Sequence, residues 1–213
     1  MKIFGFVLAM IFGINSIAFS QNWFVGAGID FGISQLSESY EVGGIITEIR
    51  TEGLSIRISP EVGYKINRFD FGINPIFQIN ERTFEQDSNS SSVSTFGIGI
   101  GLFLRYNFVT FFDRLSILGR IDLNYLYSEQ ESFGLSLNNH GLRLSIRPVI
   151  QFKVSDRLSL YSSIIGNIAS IGYDYSSSNS SGFSRNRHNF IFSLPSVYNF
   201  SLTDISFGFY ILF

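Results

Sequence analysis

The chain contains no cysteine. It therefore holds neither a disulfide framework nor the acylated cysteine with which a lipoprotein begins, and thiol catalysis is excluded. It also lacks a cationic surplus, since 15 Lys and Arg stand against 17 Asp and Glu, for a formal charge of −2. Loss of Lys2 with a leader segment takes that to −3, so a nucleic-acid partner gains no support. Beyond the first twenty residues no apolar run is long enough to cross a bilayer as a helix, which needs about 20 residues. Yet 45% of the residues are hydrophobic. A chain can be hydrophobic as a whole and still lack such runs only by interleaving apolar with polar residues, which is the signature of a transmembrane barrel.

The N-terminus reads as a leader. Lys2 precedes the apolar run from Ile3 to Ile14, and Ala18-Phe19-Ser20 supplies small residues at a cleavage site. Residues 1–20 are the expected signal peptide, cleaved before Gln21. Residues 21–213 are the expected single domain, a length that suits one.

Period-two alternation then dominates. Trp23, Val25, Ala27, Ile29, Phe31 and Ile33 oppose Phe24, Gly26, Gly28, Asp30, Gly32 and Ser34. Leu54 to Ile66 repeats the pattern, and the short turn at Asn67-Arg68 leads into Phe69 to Ile79 as a tight hairpin. Further strands are expected over Phe96 to Tyr106, Leu115 to Tyr127 and Leu142 to Phe152. A seventh, less regular, runs from Leu158 to Tyr173 with Ser162, Gly166 and Ser170 on its apolar face. The opposite phase of Phe133, Leu135 and Leu137 indicates a bulge or loop tip near Asn138-Asn139. Ser176 to Ser184 is a loop by composition. The chain closes on Ile205, Phe207, Phe209, Ile211 and Phe213.

Connections alternate between short (Asn67, Asp156) and long (Gln35 to Glu52, Glu81 to Ser92, near Glu131, near Asn179), with an intermediate one around Phe111. The expected fold is all-β: an eight-stranded antiparallel transmembrane up-and-down β-barrel with short periplasmic turns and longer extracellular loops. Arg187 to Thr203 fits it least. That segment is either part of one long bulged final strand or a separate strand, which leaves eight or ten strands.

Volume decides which face points inward. An eight-stranded ring encloses space for side chains or one small ligand, and six large apolar residues per strand would overfill it. The other face carries Gly, Ser and Asn with Asp30, Arg57, Glu61, Lys65, Asp70, Arg105, Arg120, Asp122, Arg143, Arg147 and Lys153. A lipid-facing Arg or Lys at the midplane costs about 2–4 kcal/mol, so the charged face is inward. The expected lumen is filled by a charge network of Arg57, Glu61, Asp70, Arg105, Arg120, Asp122, Arg143 and Arg147, with cations in excess. Inward glycines on the first and fourth strands would leave room for arginine stems. Trp23, Tyr64, Phe69, Tyr106, Phe152 and Phe213 on one rim, and Phe31, Phe77, Tyr125 and Tyr127 toward the other, would form interfacial girdles.

The C-terminal ISFGFYILF, the leader and the NWFVGAGIDFG after it resemble the small OmpX-like and OmpA-like outer-membrane barrels over the whole mature chain. The resemblance implies a bacterial outer-membrane location, with membrane lipid and lipopolysaccharide as surroundings. It also implies periplasmic chaperones during biogenesis and insertion by the barrel-assembly machinery, which reads the final strand through Phe209, Ile211 and Phe213. It implies a monomer.

Little reactive chemistry is visible. The two histidines, His140 and His188, fall near the outer rim beside serines, without a nucleophile, base and orienter held together. FGIGIG lies inside a strand and is no phosphate loop. The outer acids Glu38, Glu41, Glu48, Glu52, Glu85, Asp87, Glu129 and Glu131 lack calcium-loop spacing. No cofactor or metal is expected. The leading reading is a non-catalytic envelope protein acting through its loops, and the alternative is a narrow solute conduit or a lipid-modifying enzyme.

Overall fold

The computed structural model describes residues 22–42, 45–86, 89–132, 135–163, 167–180, 183–193 and 204–213. The expected signal peptide lies outside them. Ten strands follow in order: β1 (Trp23–Val42), β2 (Ile45–Ile66), β3 (Phe69–Gln86), β4 (Asn89–Phe111), β5 (Leu115–Ser132), β6 (Leu135–Lys153), β7 (Leu158–Ser163), β8 (Ala169–Ser180), β9 (Phe183–Ser193) and β10 (Asp204–Leu212). All pairings are antiparallel. The order β5-β4-β3-β2-β1-β10-β7-β6 returns to β5 through the β5–β6 pairing, so eight strands close a ring. Within the ring every strand has at least two neighbours, whereas β9, outside it, pairs with β8 alone among the described residues.

The other two strands extend the wall. β6 pairs with β7 near its C-terminal end and with β8 over Ser136 to Ile146. Four steps along β6, from Ile150 to Ile146, face seven along its partner, from Ser162 to Ala169. The three extra residues are an odd number, and an odd shift turns every following side chain to the other face. One uninterrupted seventh strand is thereby corrected to two. Ser162 keeps the outward phase, Ser170 lies opposite the buried Ser145 on the inner face, and Gly166 falls outside the described residues. β9 pairs with β8, and β10 joins β7 to β1.

The expected long loops are largely strand. Pairing runs unbroken from Trp23↔Tyr64 to Val42↔Ile45, from Pro75↔Ile100 to Gln86↔Asn89, and from Tyr173↔Phe190 to Ser180↔Phe183. The described parts of the polar stretch, Glu81 to Gln86 and Asn89 to Ser92, and of the serine-rich one, Ser176 to Ser180 with Phe183 and Ser184, thus belong to long hairpins. Where both faces meet water, alternation is not required, and a polar strand looks like a loop by composition. The β5–β6 register is likewise continuous from Leu115↔Phe152 to Ser132↔Leu135, so Asn138-Asn139 is neither tip nor bulge. Leu137 had suggested one only because it is an apolar residue on the inner face. The register shift lies elsewhere, between Asn107 and Val109.

At the opposite rim the connections are short. Asn67 adopts φ 55°, in the left-handed region that Asn tolerates best after Gly, and so permits the two-residue turn after Ile66. Phe112 and Asp113 turn the chain between β4 and β5 with φ of 50° and 56°. The described chain begins and ends at this rim: the Phe213 amide donates to the Trp23 carbonyl at 2.8 Å, and the Leu212 amide to that of Arg157 at 2.7 Å.

Candidate functional site: the lumen

Register places like charges side by side. Asp70 lies opposite Arg105, Arg105 opposite Arg120 and Arg120 opposite Arg147, a row of three guanidiniums across β4, β5 and β6. Like charges directly opposed on a sheet repel, so counter-ions must come from elsewhere. Glu61 reaches across the lumen from β2. Its Oε1 accepts a hydrogen bond from Arg120 Nη1, and its Oε2 lies 3.6 Å from Arg105 Nη2. Asp122, two residues along from Arg120, meets Arg120 Nε at 2.8 Å and Arg147 Nε at 3.3 Å. Asp30 on β1 meets Arg147 Nη1 at 3.3 Å, and Asp70 lies 3.7 Å from Arg105 Nε. Glu61, Arg105 and Arg120 are almost completely buried.

Rings complete the plug. The Arg105 guanidinium lies 4.9, 4.9, 5.5 and 5.0 Å from the ring centroids of Phe24, Phe103, Tyr161 and Tyr210, and that of Arg120 lies 4.7 Å from Phe103. Desolvated contacts of this kind contribute about 2 kcal/mol. Arg105 Nε and Nη2 make no hydrogen bond, and these two nitrogens meet opposite charge while the guanidinium lies against ring faces. Tyr161 Oη donates to Glu61 Oε1 at 3.1 Å, tying the rings to the acid. Leu118 and Val149 join the four rings in one buried cluster.

Inward glycines accommodate these rings. A Cβ at Gly208 would meet the Tyr161 ring, and one at Gly63 the Phe24 ring. On β4, where arginine stems were expected, a Cβ at Gly101 would meet Asn74 and Asn124 instead.

Arg57 and Arg143, also expected in the network, form no ion pair with its acids, although Arg57 lies opposite Asp30. Arg57 donates from Nε and Nη2 to Gln78 Oε1 at 3.3 and 3.0 Å. Arg143 lies 3.7 Å from Asp174, with its side chain 46% exposed. Both line a polar cavity of about 750 Å³ toward the long hairpins, together with Gln78, Asn124, Arg147 and Asp174. The linked groups are Asp30, Glu61, Asp70 and Asp122 with Arg105, Arg120 and Arg147, so acids outnumber cations there, against expectation.

Phe209, Ile211 and Phe213 lie on the outer face and are each about two-fifths exposed at 43%, 39% and 41%. Rim aromatics make edge and tilted contacts, Trp23 with Tyr64 at 5.3 Å and Phe69 with Tyr106 at 4.8 Å. Sequence reasoning missed Phe24, Phe103, Tyr161 and Tyr210. The signal was there for the first two, since an aromatic in the same phase as Gly26, Gly28, Gly99 and Gly101 must point inward.

A closed antiparallel ring with an apolar outer face and a charged inner one is the architecture of an outer-membrane-type β-barrel. Comparison with known proteins gives distant likenesses. Neisserial surface protein A shares 16% identity at a TM-score of 0.45, over 90% of this chain and 97% of that one. The transport unit of the Escherichia coli autotransporter AIDA-I shares 12% at 0.31, over 99% and 96%. The beta domain of the Bordetella autotransporter BrkA shares 8% at 0.29, over 90% and 98%. No family model and no curated protein matches.

Proposed function

We propose that the protein is a non-catalytic monomeric barrel of a bacterial outer membrane. Its lumen is plugged at mid-height, and its long hairpins meet surface partners outside the cell. The observation that carries this reading is the inversion of the usual distribution: Ile98, Ile100, Leu102 and Leu104 are 38–55% exposed, while Arg105 and Arg120 are 1% exposed. Only a lipid surround makes that arrangement favourable.

Strand length supports the hairpin role. β4 has 23 residues, which at ~3.3 Å per residue and a tilt of ~40° give roughly 55 Å of height against an apolar band of ~25 Å. The hairpins therefore stand well clear of the bilayer, with the short turns facing the periplasm. Lipopolysaccharide would surround the outer half. The final strand, ending in Phe209, Ile211 and Phe213, serves as the signal that the assembly machinery reads after chaperone delivery.

The expected behaviour is co-fractionation with outer membranes and faster gel migration unheated than boiled. The purified protein should give no steady conductance in planar bilayers. Recovery of the mature chain in the soluble periplasm would refute the membrane reading. A stable porin-like current would replace the plugged envelope protein by a solute conduit.

A further inference from the structure

Both histidines of the chain belong to a repeated hairpin. Tyr125, Tyr127, Ser128, Gly134, Asn138 and His140 recur 48 residues later as Tyr173, Tyr175, Ser176, Gly182, Asn186 and His188. The first set lies on hairpin β5–β6 and the second on β8–β9, and because β6 pairs with β8 the two copies adjoin in the wall.

Adjacency turns two motifs into one surface. Tyr127 lies opposite His140, His140 opposite Tyr175 and Tyr175 opposite His188. Their ring centroids are 5.1, 6.0 and 5.0 Å apart in that order. In each copy the other tyrosine shares a hydrogen bond with its histidine Nδ1: Tyr125 with His140 at 2.8 Å, and Tyr173 with His188. Nδ1 is thus occupied, and Nε2 stays available in either tautomer. Tyr127 Oη donates to Asn138 Oδ1 at 3.2 Å.

The row is on the outer face at the top of the apolar band. Leu123, Leu142, Ile171 and Phe190 share its phase on the membrane side, each at least 40% exposed. On the far side the same phase carries Glu129 and Asn138. Among the described residues, the outward phase of these four strands carries no Lys or Arg.

We infer that this row binds the sugar headgroup of a neutral glycolipid in the outer leaflet. Ring faces stack on the C–H faces of a sugar, while imidazole, phenol, amide and carboxylate edges exchange hydrogen bonds with its hydroxyls. A phosphate would call for guanidinium or ammonium partners, which this face lacks, and an acyl chain has no use for two ordered imidazoles. The row faces sideways into the headgroup layer, so its occupant comes from the membrane and not from solution. Three strand spacings of ~4.8 Å give it roughly 14 Å of width, the span of two sugar rings. The inference rests on the outer-membrane reading above.

The test reconstitutes the full protein in phosphatidylethanolamine vesicles containing a minor fraction of a neutral diglycosyl diacylglycerol. Native mass spectrometry then counts the lipids that stay bound. Wild type should retain the diglycosyl lipid in preference to phosphatidylethanolamine. The double variant His140→Leu, His188→Leu should lose that preference by roughly tenfold, as expected for two hydrogen bonds. Tyr175→Leu, at the centre of the row, gives the same reading if the double variant does not insert, and Tyr64→Phe on the other rim should change nothing. Equal retention by wild type and variants, or no preference in wild type, overturns the inference and leaves the barrel reading intact. Failure of wild type to insert overturns the barrel reading, and the glycolipid site with it.

Discussion

The two halves of the lumen are built from the same alternating strands and hold different contents. Toward the short turns, Phe24, Phe103, Tyr161 and Tyr210 pack around Arg105 in a cluster that includes Leu118 and Val149, and at mid-height Glu61 and Asp122 close on Arg105, Arg120 and Arg147. Toward the long hairpins, Arg57 meets only a carboxamide among its hydrogen-bond partners, Arg143 is half-exposed, and a polar cavity opens between them. Inward arginine is thus not one kind of feature. Below, it is a desolvated cation whose removal or whose partner's removal leaves a buried charge. Above, Arg143 is a half-exposed wall residue beside the cavity. Alternation decides which way a side chain points, and the height along the strand decides what that direction means energetically.

The sharpest way to break this contrast is to delete one charge in each half. Glu61→Ala takes a buried counter-ion from both Arg105 and Arg120, leaving them Asp70 and Asp122, and should cost about 3–5 kcal/mol, read as a fall in the urea unfolding midpoint in detergent. Arg143→Ala removes a pair that is largely solvated and should cost less than about 1 kcal/mol in the same measurement. Equal effects would mean that the two halves do not differ. Gly208→Ala should fall between these two. The new methyl group meets both the Tyr161 ring, whose hydroxyl is bonded to Glu61, and the Ala27 backbone carbonyl, and overpacking of this kind costs about 1–3 kcal/mol. An unchanged midpoint would show that the rings are loosely held.

Much of this was legible in the sequence for one physical reason: inside the bilayer the two faces of a strand meet opposite solvents. That forces Ile98, Ile100 and Leu102 onto one phase and Glu61, Arg105, Arg120 and Asp122 onto the other. Legibility ended where the force ended. Beyond the membrane, Glu81 to Gln86 pairs with Asn89 to Ser94 as strand without alternating, so composition alone suggests a loop. The phase reversal between β7 and β8 was hidden because a three-residue insertion leaves no compositional mark. Within the site, sequence marked which charges point inward but not which ones meet. Arg57 and Arg143 have the same phase as Arg147 or its equivalent on a neighbouring strand, and only register and height separate them from the buried network. The aromatic half of the plug was overlooked because Phe24 and Phe103 were weighed as members of a polar face and not as exceptions to it.

The smallest effect belongs to an ion pair that is shorter than most of the buried ones. Lys153 lies 2.8 Å from Asp156 at the short-turn rim, and its hydrogen bond and charge hold the Asp156 carboxyl below the ordinary aspartate range. A folded-state pKa below the unfolded one contributes stability above the unfolded value, and that contribution is lost as pH falls through the folded value. The window therefore lies at and below about pH 4. Both partners sit in water, with the Asp156 side chain 96% exposed, so solvent and salt screen the attraction that a desolvated pair would keep. Asp156→Asn should accordingly leave the unfolding midpoint unchanged at pH 7 and should not alter its fall between pH 5 and pH 3. A variant that is measurably less stable at pH 7, with the difference vanishing at pH 3, would show that distance matters more than burial in this barrel and would undo the ranking of Glu61 above the rim.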